Sequence, residues 1–377
     1  MSSNPTPKTS SMLGLSSITQ NNTVSSSELL ETCFYKRTKY YYPTHDPKAE
    51  EFSPPVHRLF AGCYKTQTPN LGILARLPQD LLELIVLQLD IDSYRRFRQV
   101  SRRARYVSTA INIYQRVLRH APDALNALRR TDLSGFVSYS DIYTALTTTK
   151  CAFCGQFGDF LFLPTAKRCC FQCLRTSPET ALVNEARISR REQWKGLYAE
   201  QAVALTNALK SKDIRTFKTH NWDDPKEMSK TRGILAKDLL AAYISVDNTM
   251  ETPGQALLKP GWLHYRLAAS IIFRSLNPRT GKLQTGVSCI GCHLNIWKQN
   301  DTSLVALSSA NILFNPYFHA RDRSYSEDEA ALHVSQCPEA QRLWQRGGNK
   351  EQCAFVQQGG VYYYRASQWR RDEENLA

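Results

Sequence analysis

Apolar residues recur at helical spacing from residue 77 onward. Leu81, Leu82, Ile85, Val86 and Leu89 fall at i, i+1, i+4, i+5 and i+8, the spacing of one apolar face of an amphipathic helix. Pro78 suits the first turn, where its missing N–H is no loss, and Asp80 and Glu83 suit the positive end of the helix dipole. Asp92 or Ser93 is positioned to cap a second short helix carrying Tyr94, Phe97 and Val100. Ser101 is positioned to cap a third, carrying Ala104 and Val107. Helical periodicity continues through Ile111, Tyr114, Val117 and Leu118, then Leu125 and Leu128. Ser138 and Asp141 flank another start, followed by Tyr143, Ala145 and Leu146.

The pattern then changes. Phe160 to Pro164 is a short apolar run that predicts a strand. Residues 185–211 predict a long helix with a polar face, 222–227 a loop, and 235–245 and 262–273 two further helices. Ser326-Glu327-Asp328-Glu329 is a capping box that starts a helix near residue 327. From 347 the chain reads as a polar tail with one strand at 361–364. At the other end, residues 1–27 are dominated by Ser, Thr and Asn, and the first aromatic residue is Phe34. Such a stretch buries too little apolar area to offset its ordering entropy, so 1–69 reads as a disordered leader and linker.

Two cysteine constellations carry the chemistry. Cys151 and Cys154 are followed, after residues 155–169, by Cys170 and Cys173. Two residues between thiolates let one tight knuckle offer both sulfurs to one tetrahedral ion, and two knuckles complete a four-sulfur shell. Cys169 is a rival to Cys170, with the regular two-residue register favouring Cys170. The second constellation pairs Cys289 and Cys292 with His333 and Cys337, which lie four apart and so share one face of the helix that begins near 327. His293 and His319 are rival ligands here, less favoured than His333. Both sets predict structural zinc, because four protein ligands leave no open position for a substrate.

Charge and composition narrow the picture. The chain has 377 residues and a formal net charge of +14, and ten arginines against the single acid Asp123 lie between residues 95 and 130. No apolar run approaches the ~20 residues of a spanning helix, and no secretory signal pattern is visible, so no membrane partner and a cytoplasmic or nuclear location are expected. Eleven cysteines in a reducing compartment are read for metal before disulfides. Phosphate-loop, zinc-protease and serine-hydrolase signatures are missing, so no enzyme is expected.

The stretch Leu77-Pro78, Leu81-Leu82, Ile85, Leu89-Asp90, Ser93, Phe97 and Val100-Ser101-Arg102-Arg103 resembles an F-box. Tyr94 stands where that family usually has Leu. Further on, His120-Ala121-Pro122, Leu163-Pro164-Thr165, Arg168-Cys169-Cys170 and the segment from His333 through Trp344 resemble a group of filamentous-fungal F-box proteins with cysteine and histidine knuckles. The resemblance implies a substrate-recognition adaptor of a Skp–cullin–F-box ubiquitin ligase, non-catalytic, with an unknown protein substrate. By position, it implies that Leu77, Pro78, Leu81, Leu82, Ile85, Leu89, Val100 and Arg102 meet the Skp adaptor.

The expected fold is mainly α with small β elements. An F-box helical bundle over 70–120 follows the leader. Next come a helix and the four-cysteine zinc knuckle pair over 121–182, a mostly helical middle over 183–285 and the second zinc site with its C-terminal helix over 286–346. The tail is 347–377. The rival reading is a basic zinc protein that binds nucleic acid. Its support is the arginine run, and it lacks an apparent groove-reading helix beside either knuckle.

Overall fold

The computed structural model describes residues 26–37, 71–184, 214–220, 228–246, 263–298, 316–347, 354–357 and 359–360. The helix expected over 185–211, the loop over 222–227 and the strand over 361–364 lie outside these residues. The fold is mainly α, with small antiparallel sheets. The first elements among the described residues are α1 (Ser26–Cys33) and β1 (Phe34–Tyr35).

Six helices form the bundle: α2 (Gln79–Leu87), α3 (Ile91–Val100), α4 (Arg102–Ala110), α5 (Asn112–His120), α6 (Pro122–Arg130) and α7 (Tyr139–Thr147). Side chains fix several of their starts. The α3 cap is Asp90, a little upstream of the expected Asp92 or Ser93, and its Oδ1 accepts from the Ser93 N–H at 2.8 Å. Ser101 caps α4 as the sequence predicts, and Ser138 with Asp141 forms a reciprocal capping box on α7. Tyr94, Tyr114 and Tyr139 meet in the bundle core, with ring centroids 4.6 to 5.1 Å apart. The buried Tyr94 hydroxyl donates to the Ser108 carbonyl at 2.6 Å, so the Tyr at this position keeps its polar end satisfied.

After α7 comes a hairpin of β2 (Phe160–Phe162) and β3 (Lys167–Cys169), then α8 (Phe171–Thr176). The third strand of this sheet, β7 (Ser270–Ile272), pairs with β2 from more than 100 residues away. It begins where the sequence pattern predicts helix through 273. The helix α10 (Leu263–Ala268) is cut short because Ser270, Ile271 and Ile272 pair with Phe162, Leu161 and Phe160. A second sheet joins β4 (Leu182–Asn184), β6 (Met228–Leu235) and β5 (Thr216–His220), followed by α9 (Ala236–Val246). Strands therefore occupy part of a middle region expected to be mostly helical.

Buried arginines tie these parts together. Arg168 is 2% exposed. Its Nε donates to the Ala145 carbonyl at 2.9 Å, Nη1 to Gly158 and Phe273 at 2.7 Å each, and Nη2 to Arg274 at 2.8 Å. Burial lowers its pKa to about 10, against the opposing pull of Asp159. Replacing it with Met would leave those carbonyls without a donor. Arg168→Met is expected to cost on the order of 4 kcal/mol, as two or more charge-assisted bonds are lost. Chemical denaturation checks this, and an unchanged midpoint would show that the clamp is redundant.

The last region contains β8 (Ser275–Leu276), β9 (Leu283–Gln284), β10 (Ser288–Cys289), α11 (Ile290–Lys298), α12 (Pro316–Asp322), α13 (Glu327–Gln336), α14 (Pro338–Gln345) and α15 (Ala354–Gln357). Here the disordered-leader expectation is corrected. Residues 26–37 are folded, and they belong to this region. Phe34 pairs with Cys289 and Tyr35 with Ser288. Cys33 and Phe34 are buried beside Cys292, Val334 and Ala340, with Leu29 and Leu30 packed against them. Arg37 continues inward. Its Nη1 donates to the Gly360 carbonyl at 2.7 Å and its Nη2 to that of Arg321 at 2.6 Å. The tail expectation is corrected likewise, since Phe355 is buried against Tyr35 and Ile290.

Candidate partner surface and metal centres

Helix α2 is apolar on two faces. Leu82 and Val86, four apart, point into the bundle and are 4% and 2% exposed. Leu81, Leu84 and Ile85 share the opposite face at i, i+3 and i+4, and are 47%, 59% and 45% exposed. Val100 at the end of α3 and Ile73 in the turn before α2 are more exposed still, at 75% and 82%. Large apolar side chains left uncovered on one small bundle mark a protein-docking surface.

The residues assigned to that surface by sequence divide. Leu81, Ile85, Val100, Pro78 and Arg102 are exposed. Leu82 is a correction. It fills the bundle core, because α2 needs one apolar face to hold itself to the other helices. Leu77 is half-buried, and Leu89 packs against the core. Sequence reasoning missed Leu84, Ile73 and Leu74, all exposed. Leu84 falls between the positions of the apolar stripe, and only counting both faces would have found it.

The cysteine constellations come together as two compact donor sets. Cys151, Cys154, Cys170 and Cys173 form one, and Cys289, Cys292, His333 and Cys337 the other, with the ligand atoms of each set within 4.8 Å of one another. Zn–S bonds of about 2.3 Å in a tetrahedron place sulfurs roughly 3.8 Å apart. The Cys154–Cys170 edge is 3.6 Å, and the Cys289–Cys337 and Cys292–Cys337 edges are 4.0 Å. Cys292 Sγ lies 3.2 Å from His333 Nε2. Both sets fit a tetrahedral ion.

Local structure explains each set. Gly155, at φ +73, closes the first knuckle in a conformation that favours glycine. Cys170 caps α8, its sulfur accepting from the Cys173 N–H at 3.4 Å, which brings the second pair onto one turn. Cys169 faces the core from β3, fully buried, and is outside the donor set. In the second set, Gly291 lets the knuckle lie against α14, where a Cβ would collide with the backbone of Glu339 and Ala340. The His333 ring is held by stacking on Tyr325 at 4.4 Å, with the edge of Phe34 6.2 Å away. His293 lies elsewhere, stacked on Phe355 at 4.2 Å.

The electrostatics of the thiols also fit a cation. Hydrogen bonds from Cys170 and Cys173 hold Cys151 far below the usual thiol range. The same bond to Cys151, with burial, pushes Cys170 up to about 12. In the other set, bonds from Cys289 and Cys292 lower Cys337, while bonds to Cys292 and Cys337 raise Cys289. In each cluster one thiol is lowered by the bonds it receives, and the buried partners that give them are raised. A divalent ion lets all ionise. Four protein donors close each tetrahedron, so the chemistry available is structural.

Between the two sets lies a cavity of about 230 Å³. Phe157, Asp159 and Phe171 line it from the first, and His319, Asp322 and Arg323 from α12 and the turn after it. Beneath it, Asp322 accepts from Arg321 Nε at 2.8 Å and Nη2 at 3.0 Å and pairs with Arg175 at 3.3 Å and Arg37 at 3.7 Å. This buried ion cluster joins the N-terminal segment, α8 and α12.

The helical bundle with its uncovered apolar face shares one continuous core with the region that carries the first cysteine set, from Tyr94 and Ile142 to Phe160, Phe171 and Ile271. Residues 74–116 match the F-box domain family, which places an F-box domain within the bundle. F-box domains typically bind the Skp subunit of Skp–cullin–F-box ligases, and proteins that carry them are generally adaptors rather than enzymes. No curated protein and no solved structure matches the chain. No helix among the described residues is long and apolar enough to cross a membrane.

Proposed function

We propose that this chain is a substrate-recognition adaptor of a Skp–cullin–F-box ubiquitin ligase. The F-box bundle docks on the Skp adaptor, and the zinc-stapled region beyond it presents a protein substrate. The observation that carries this reading is the uncovered apolar face formed by Leu81, Leu84 and Ile85 on a helix whose other face already fills the core. Within an F-box domain, such a face is the natural contact for the Skp subunit. No bond is made or broken by the chain itself. Recruitment acts through effective concentration, since a tethered substrate meets the ligase's catalytic module far more often than a free one.

Capture of the Skp adaptor by the full chain tests this. The wild type is expected to bind. Leu81→Asp with Ile85→Asp is expected to weaken capture by roughly 100-fold or more, since central apolar anchors contribute about 2 kcal/mol or more each. Both positions are exposed, so the thermal melt of the variant stays near that of wild type. A folded, metal-loaded wild type that fails to capture the adaptor would overturn the reading.

A further inference from the structure

Between Lys65 and Lys150 the chain carries eleven arginines and no lysine. Elsewhere it uses the two almost equally, with eighteen lysines to nineteen arginines. The lysine-free stretch contains the whole F-box bundle.

The fold accounts for arginine at only some of these positions. Arg98 uses its planar fork. Its Nη1 donates to Thr109 Oγ1 at 2.7 Å, and the guanidinium lies 4.6 Å from the Tyr114 ring centroid. Arg116 Nη1 donates to the Tyr143 hydroxyl at 3.2 Å and the Pro278 carbonyl at 3.3 Å. In contrast, Arg95, Arg96, Arg102, Arg105, Arg119 and Arg129 are exposed, and their guanidiniums make no hydrogen bond or ion pair among the described residues. Lysine has nearly the same helix propensity and carries the same charge, so neither helix stability nor solubility selects between them at those sites.

What does distinguish the two residues is reactivity. An exposed lysine amine is mostly protonated at neutral pH, but its small free-amine fraction is a nucleophile, and it is the acceptor in ubiquitination. The guanidinium stays protonated and delocalised. In ubiquitin transfer, the amine nitrogen forms a bond to the carbonyl carbon of a ubiquitin thioester. The C–S bond breaks, and the carrier enzyme's thiol leaves with the proton that the amine gives up. A module held inside a ligase through many such transfers sees the thioester at high effective concentration.

We infer that the F-box bundle carries its positive charge as arginine because it works beside a ubiquitin thioester, so that its basic surface offers no acceptor amine. This rests on the adaptor reading above. It turns a charge run that also invites a nucleic-acid reading into a protection against self-modification.

The test uses the full chain in a reconstituted ligase, comparing wild type with an Arg96→Lys, Arg105→Lys, Arg129→Lys variant. Net charge is unchanged, and none of the three is one of the residues assigned to the docking surface. Adaptor capture and mass-spectrometric mapping of ubiquitin attachment are read together. Capture is expected to be equal, with severalfold more ubiquitin on the variant and new attachment at positions 96, 105 or 129. Equal capture with attachment confined to native lysines such as Lys150 and Lys282 would overturn the inference, as would an absence of attachment in both proteins. A wild type that fails to capture the adaptor would overturn the adaptor reading itself, and that result is separately visible.

Discussion

Replacing Cys154 and Cys173 with serine is expected to unfold the region around the first cysteine set and to release one of two bound ions. Cys154 is exposed and Cys173 half-buried, whereas Cys151 and Cys170 are buried. The two substitutions therefore remove ligands while disturbing core packing little. Structural zinc in small modules contributes on the order of 10 kcal/mol of folding free energy. Whole domains are stable by only about 5–15 kcal/mol. The two knuckles here flank the β2–β3 hairpin, with the Ala152 N–H donating to the Arg168 carbonyl at 2.9 Å. Loss of the ion therefore also loosens the Arg168 clamp on Ala145 at the end of the bundle. Elemental analysis is expected to give two zinc ions per wild-type chain and one in the variant, with the near-ultraviolet circular dichroism reduced. Fewer than one ion in the wild type, together with a melt unaffected by chelator, would refute the metal reading of the cysteines.

Asp322→Asn is expected to cost about 3–5 kcal/mol, the range seen when one partner of a buried ion cluster is removed. The asparagine has nearly the same shape, so packing is preserved and the lost charge is what the experiment reads. Arg37, Arg175 and Arg321 all converge on this carboxylate, and all are about 3% exposed. Without it, three guanidiniums crowd together away from water. The N-terminal segment is the weakest tether of the three, since Arg37 Nη2 is the most distant at 3.7 Å. Limited proteolysis is expected to cut within residues 26–37 first in the variant. An unchanged denaturation midpoint with the same cleavage pattern would show that backbone carbonyls alone satisfy these arginines.

The bundle and the two donor sets were legible in the sequence because both follow local rules. Apolar spacing near 3.6 and capping serines mark α2 to α7, and paired cysteines two residues apart make a knuckle wherever they occur. His333 and Cys337 were found through the capping box at Ser326, which fixed the helix that aligns them. Apolar character alone did not separate Leu82 from Leu84, because α2 is apolar on two faces and only its neighbours decide which of them is covered. The strand at 270–272 was hidden because its partner lies in 160–162. Arg168 and Arg266 read as surface residues from their type, yet both are buried. Arg266 Nη1 serves the carbonyls of Arg175 and Ser177 at 2.9 and 3.0 Å. Residues 26–37 were lost for the same reason on a longer scale. Leu29, Leu30, Cys33 and Phe34 do fall at helical spacing, but the pattern lasts barely one turn beside a polar leader, and their partners come from the far end of the chain.

That distance matters while the protein is being made. The Cys33 sulfur donates to the Ala340 carbonyl, 307 residues downstream. A ribosome adding about 5–20 residues per second takes roughly 15–60 s to cover that span. The helices of the F-box bundle pack mostly on their near neighbours in the chain and have time to fold while the rest is still emerging. Phe34 and Tyr35 wait for most of that interval, until Cys289 and Ser288, their strand partners, have been made. The first of the described segments to be made is therefore among the last to find its place, and until its partners emerge Phe34 and Tyr35 remain open to chaperones and proteases.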